Sequence, residues 1–186
     1  MKTARLACSI VALAMLTVPA AAQQQHDWQS HLADRLAQYG HRNWIVVADA
    51  AYPVQTSPGI ETIVVDAELP DVLEVVLYGI GKAKHVSPAI LLDAELPLVE
   101  ERDARGITSY RAKLKKLLGK RETQSLAHEQ IIDKLDKAGD KFRVLILKTN
   151  TLLPYSSVFM QLDCGYWDAS AEKRLREKMA GAEKKQ

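Results

Sequence analysis

His41 and Asp49 are the two residues whose types and spacing point first to chemistry. A Gly40-His41 turn feeds the wholly apolar run Trp44-Ile45-Val46-Val47-Ala48, which ends on Asp49 and then Ala50-Ala51-Tyr52-Pro53. An imidazole exchanges protons near neutral pH, and a carboxylate grips hydroxyl groups through charge-assisted hydrogen bonds. Together they could move a proton on a small polyhydroxylated molecule while holding it. The positions also have structural readings. His41 can cap the preceding helix at its C-terminal end, and Asp49 can satisfy loop amides.

The elements that must position these groups follow from periodicity. The run 44–48 is β-branched and bounded by turn residues, so it reads as a buried strand with one titratable group at each end. Asp49 then lies at the C-terminal end of a strand, where open α/β sheets place ligands. Trp28, Leu32, Leu36 and Tyr39 recur at helical spacing, and Gly40 can end that helix. Further helices are expected over 69–80, 108–118 and 127–138, and strands over 60–65, 142–148 and 157–163. The run 85–92 is a third apolar stretch, and Pro88 places it at an edge or bulge if it is a strand. Alternating strands and helices give an α/β class: a single-domain, layered α/β/α fold with a mixed or largely parallel central sheet. Residues 169–186 are mostly alanine and charge, and read as a solvated helix or a frayed tail.

Residues 1–22 read as an export signal. Lys2 and Arg5 precede an apolar run from Leu6 to Val18, and Ala20-Ala21-Ala22 fits a small-residue cleavage site before Gln23. The expected location is therefore periplasmic or secreted, with no membrane span left after cleavage. Residues 23–168 form the expected domain. Cleavage removes Cys8, leaving Cys164 alone in an apolar context, where a buried small residue is the expectation. Cleavage also removes two bases and no acid, so the chain of formal charge +2 becomes neutral. Neutrality argues against nucleic acid or an anionic membrane as the main partner.

Several familiar signatures fail. Gly79-Ile80-Gly81-Lys82 lacks the spacing and the hydroxyl residue of a phosphate loop. His128-Glu129-Gln130 has no second histidine at zinc-helix spacing, the five histidines show no tight ligand spacing, and no metal is expected. There is no Gly-x-Ser-x-Gly elbow. His26 and His31 are expected on the surface, and Lys113–Lys120 on the wet side of a helix.

Three blocks taken in order resemble the ribose pyranase / fucose mutarotase family. They are Gly40-His41 with Val47-Ala48-Asp49-Ala50-Ala51-Tyr52-Pro53; Leu69-Pro70 through His85-Val86-Ser87-Pro88-Ala89; and Pro154-Tyr155-Ser156-Ser157-Val158. The resemblance runs from about Tyr39 to about Asp163. It implies an isomerase that interconverts ring or anomeric forms of a free monosaccharide by acid/base chemistry, without metal or organic cofactor. By the same resemblance His41 is the acid/base residue, Asp49 and Tyr155 bind sugar hydroxyls, and His128 matches a sugar-contacting histidine. Ser157 stands where the family has asparagine, and Ala51 where it has glycine. A hydroxyl can donate or accept but lacks the fixed two-sided geometry of an amide. The export signal is a third departure, since familiar members act in the cytoplasm. A non-catalytic monosaccharide-binding module and a structural homo-oligomer are the alternative readings on the same fold.

Ring opening of a hemiacetal needs a base at the anomeric hydroxyl and an acid at the ring oxygen, and positioned acid/base groups are worth roughly 10²–10⁴-fold. Strand length sets a constraint. If even five of the eight steps from His41 to Asp49 are extended, the two Cα atoms stand on the order of 17 Å apart or more. Either the Gly40 turn folds His41 back, or His41 of one subunit completes a neighbour's site. The resemblance favours the second, in ring-like homo-oligomers with pockets at subunit contacts.

Overall fold

A computed structural model describes residues 20–183. Residues 1–19 of the expected signal segment lie outside the described residues, and Ala20-Ala21-Ala22 begin the first helix. The elements are α1 (Ala20–Gln38), β1 (Trp44–Ala48), β2 (Ile60–Val64), α2 (Leu69–Lys82), β3 (Val86–Asp93), α3 (Ile107–Leu118), β4 (Thr123–Leu126), α4 (His128–Gly139), β5 (Val144–Lys148), β6 (Val158–Cys164) and α5 (Ala169–Glu183). A short 3₁₀ turn, Leu96–Leu98, follows β3.

The six strands form one sheet in the order β2-β5-β1-β6-β3-β4. β1 and β2 both run parallel to β5, and β3 runs parallel to β4. β6 alone opposes its neighbours, pairing Val47 with Val158 and Trp44 with Gln161 on β1. The central sheet is therefore mixed.

Both faces of the central strands are covered, which explains why their sequences are apolar throughout. Ile45 and Val47 of β1, with Leu145 and Leu147 of β5, pack under α1, α2 and α3 through Leu32, Leu36, Leu73, Val76 and Leu114. Trp44, Val46 and Ala48, with Val144, Ile146 and Phe159, face α4 through Ile131 and Leu135. This is the layered α/β/α arrangement expected from the alternation of elements.

Three local expectations need correction. β4 was not anticipated: Thr123-Gln124-Ser125-Leu126 is polar and largely exposed, so it carries no hydrophobic period. It is a short edge strand, held by backbone pairing to Ile90–Asp93. β3 is an interior strand, yet β4 covers only its second half. Pro88 lies in the uncovered half, where its missing N–H costs no ladder bond. Cys164, expected buried, is half-exposed, because β6 leaves the core at its last residues. The tail forms α5, with most of its residues exposed. Among the described residues, no helix is long and apolar enough to cross a membrane.

Candidate functional site

β6 carries a candidate pair at each end. At its start, Ser157 Oγ donates to Asp49 Oδ2 at 2.8 Å and accepts from the Asp49 backbone N–H at 3.1 Å. At its end, Asp163 Oδ1 meets His41 Nε2 at 3.3 Å, with both side chains more than half exposed. Six residue steps separate Ser157 from Asp163, about 20 Å. The chain thus places Asp49 and His41 at opposite ends of the strands.

Asp49 follows the last residue of β1, and the strand end delivers it to the loop side. Its Oδ1 accepts from the Ala51 N–H at 2.9 Å, an Asx-type turn that locks the carboxylate in place. Ser157 itself is fully buried, and its hydroxyl is occupied by Asp49 in both directions. It therefore acts on a ligand through Asp49. Tyr155, two residues earlier, is 39% exposed, and its φ of 56° lies in the left-handed region. For a bulky residue that conformation costs on the order of 1 kcal/mol or more, and such strain clusters at functional positions. The only other non-glycine residue with positive φ among those described is Arg42, next to His41.

His128 opens α4 at the same end of the strands as Asp49. Its ring meets Tyr155 edge-on, with centroids 5.6 Å apart, and Nδ1 lies 3.1 Å from Asp93 Oδ1. Its backbone N–H is held by the Glu95 carboxylate at 3.1 and 3.2 Å. Burial raises the Asp93 carboxyl to about 6, against the opposing pull of His128. Two buried phenols complete the surroundings. Tyr52 donates to Gln55, and Tyr110 donates to the Ser156 carbonyl. Both are pushed well above their ordinary range by burial, with Asp49 and Asp93 adding to the shift. Lys148, the last residue of β5, donates to the Tyr52 carbonyl at 2.8 Å.

Of the sequence-derived candidates, the fold therefore places Asp49, Ser157, Tyr155 and His128 at one end of the strands and leaves His41 at the other. Asp93 and Glu95 were missed. The signal for Asp93 was present: like Asp49, it is a carboxylate closing an apolar strand, here Ile90-Leu91-Leu92. His31, expected on the surface, is only partly exposed and pairs with Glu61 at 2.8 Å. Among the described residues, no group of three His, Cys, Asp or Glu side chains could hold a metal ion.

Comparison with known proteins gives a consistent picture. The profile of the RbsD / FucU transport protein family matches residues 25–164. Among solved structures, the fold is similar to that of Bacillus subtilis RbsD complexed with D-ribose. That match has 24% identity and a TM-score of 0.52, over 72% of this chain and 92% of that one. FucU from Bifidobacterium longum is similar at 18% identity and a TM-score of 0.51, over 72% and 94% of the two chains. The fucose mutarotase from Streptococcus pneumoniae in complex with L-fucose aligns at 20% identity and a TM-score of 0.47, over 72% and 91%. No curated protein matches the sequence.

Proposed function

The chain belongs to the RbsD / FucU transport protein family, and from that premise we propose that it handles free monosaccharides and interconverts their ring or anomeric forms without a cofactor. The observation that carries this reading is the Asp49 carboxylate, fixed by the Ser157 hydroxyl and the Ala51 amide at the strand ends that also carry the His128–Tyr155 contact. A rigid carboxylate on the same side of the fold as an imidazole and an aromatic ring suits a sugar, whose hydroxyls donate to the acid and whose C–H face can rest on a ring.

His41 enters this reading from a second copy of the chain. Within one chain about 20 Å of β6 separates its partner Asp163 from Ser157, far more than one sugar ring can bridge. The loops flanking the Asp49 end also present Val54 and Leu152, 73% and 85% exposed. Apolar side chains on that rim support an assembly that covers it. Export is part of the proposal, on the strength of residues 1–22, and a mature protein starting at Gln23 is its test.

Exchange NMR on ribose and fucose, with and without the protein, tests the function. Faster interconversion of ring or anomeric forms is the expected result, and its absence refutes the isomerase. The placement of His41 away from Asp49 favours one second reading, a binding protein without catalysis. Saturable sugar binding without faster exchange would establish it instead.

A further inference from the structure

Besides the His31–Glu61 pair, the described residues hold two imidazole–carboxylate pairs at opposite ends of the strands, and they are built differently. His41 and Asp163 are both open to solvent. The side chain of Asp93 is wholly removed from it, and among the described residues Oδ2 has no hydrogen-bond partner. Burying an ionisable group this way costs stability, and groups buried at that cost cluster at functional sites. Its single engagement is Oδ1 with His128 Nδ1 at 3.1 Å.

An ionised carboxylate only accepts hydrogen bonds, so the proton of a neutral His128 ring is drawn to Nδ1 and Nε2 keeps its lone pair. The residue is anchored through its backbone, and its ring has an aromatic neighbour. Glu95 clamps the backbone N–H of His128, and Tyr155 stands edge-on to the imidazole. His128 keeps 26% of its side-chain surface exposed, so the nitrogen left free is available to a ligand. A sugar hydroxyl bound only by acceptors such as Asp49 has no proton left to offer elsewhere, whereas its neighbour on the ring does.

We propose that Asp93 is a positioning residue that locks His128 in the Nδ1–H tautomer, so that Nε2 accepts a hydrogen bond from a second hydroxyl of the sugar held at Asp49. This deepens the sugar-binding reading and rests on it. The lock depends on the Asp93 charge. Groups around that carboxyl are His128 on α4, Glu95 after β3, Asp49 after β1, and the phenols of Tyr52 and Tyr110. Arg111, Lys115 and Arg121 line a cleft of about 300 Å³ that also borders Asp93. The lock loosens below about pH 6, where Asp93 takes up a proton.

Nitrogen-15 NMR of the histidine rings tests the lock without any sugar present. At pH 7.5 the wild type is expected to show His128 as the Nδ1–H tautomer. Asp93→Leu, which removes the acceptor in similar volume, is expected to shift it toward Nε2–H. Asp93→Asn, which keeps an acceptor but not the charge, should fall between the two and serves if the leucine variant does not fold. A wild-type Nε2–H tautomer, or an unshifted tautomer in both variants, overturns the proposal. Ribose and fucose titrations then read the second half: Asp93→Leu should bind about tenfold more weakly or worse. Unchanged affinity would overturn the link to the ligand. If the wild type binds neither sugar, the functional reading fails, while the lock is still judged by its own spectrum.

Discussion

Ser157 and Asp49 hold each other reciprocally: the hydroxyl donates to the carboxylate at 2.8 Å and receives the backbone N–H of the same residue at 3.1 Å. The start of β6 and the end of β1 are thereby tied at the point where a ligand would meet the carboxylate. The serine that makes this tie is fully buried.

Ser157→Ala should leave the Asp49 carboxylate held by the Ala51 amide alone and strand the Asp49 backbone N–H. Hydrogen bonds to charged groups are worth about 1.5–3 kcal/mol, so sugar affinity should fall roughly 10- to 100-fold. Isothermal titration with ribose and fucose reads this directly, and unchanged affinity would mean that Asp49 is not the ligand's anchor.

His41→Ala and Asp49→Ala proteins should each be inactive in sugar exchange. Mixed and allowed to reassemble, they should recover part of the wild-type rate, because some contacts then join an intact His41 to an intact Asp49. Two inactive proteins that stay inactive after demonstrated subunit exchange would rule out a shared site.

Asp93 makes stability depend on pH in an unusual direction. Its folded carboxyl titrates near 6, above the ordinary 3.8, so the folded state resists ionisation that the unfolded chain permits. The cost is absent below about pH 4, grows as pH rises, and is complete above about 6. It amounts to about 3 kcal/mol. Asp93→Asn should therefore be more stable than the wild type at pH 7, with the difference shrinking to nothing near pH 4. Urea denaturation across that range checks it. A variant less stable at pH 7 would show that the His128 contact outweighs the burial.

Gly59 lies under the end of α4. A Cβ there would come within 2.1 Å of the Phe142 carbonyl oxygen and 2.3 Å of that of Gly139. Both are backbone atoms, and Gly59 also bonds Gly139 and Val144 through its own backbone. Gly59→Ala should cost about 1–3 kcal/mol or more, by analogy with overpacked cores. A lowered urea midpoint with an unchanged slope is expected.

The elements near the site differ in how visible they were. β1, β5 and β6 were legible because burial on both faces demands unbroken apolar runs. α1 was legible because Trp28, Leu32 and Leu36 mark one buried face. β4 was not, since its side chains are exposed and its stability comes from backbone pairing, which leaves no trace in side-chain type. Asp93 escaped notice inside an apolar stretch. Nothing local connects it to His128, which lies 35 positions further along.

Side-chain chemistry and spacing alone determined the layered class, the first strand, and the incompatibility of His41 and Asp49 within one straight element. Those follow from solvent exclusion and from the rise per residue of an extended chain, both local properties. Which groups meet was decided only by tertiary structure. β6 runs against its neighbours, so one strand brings Ser157 to Asp49 and Asp163 to His41. Strand direction and order within a sheet depend on contacts between distant segments, and no residue pattern within either segment encodes them.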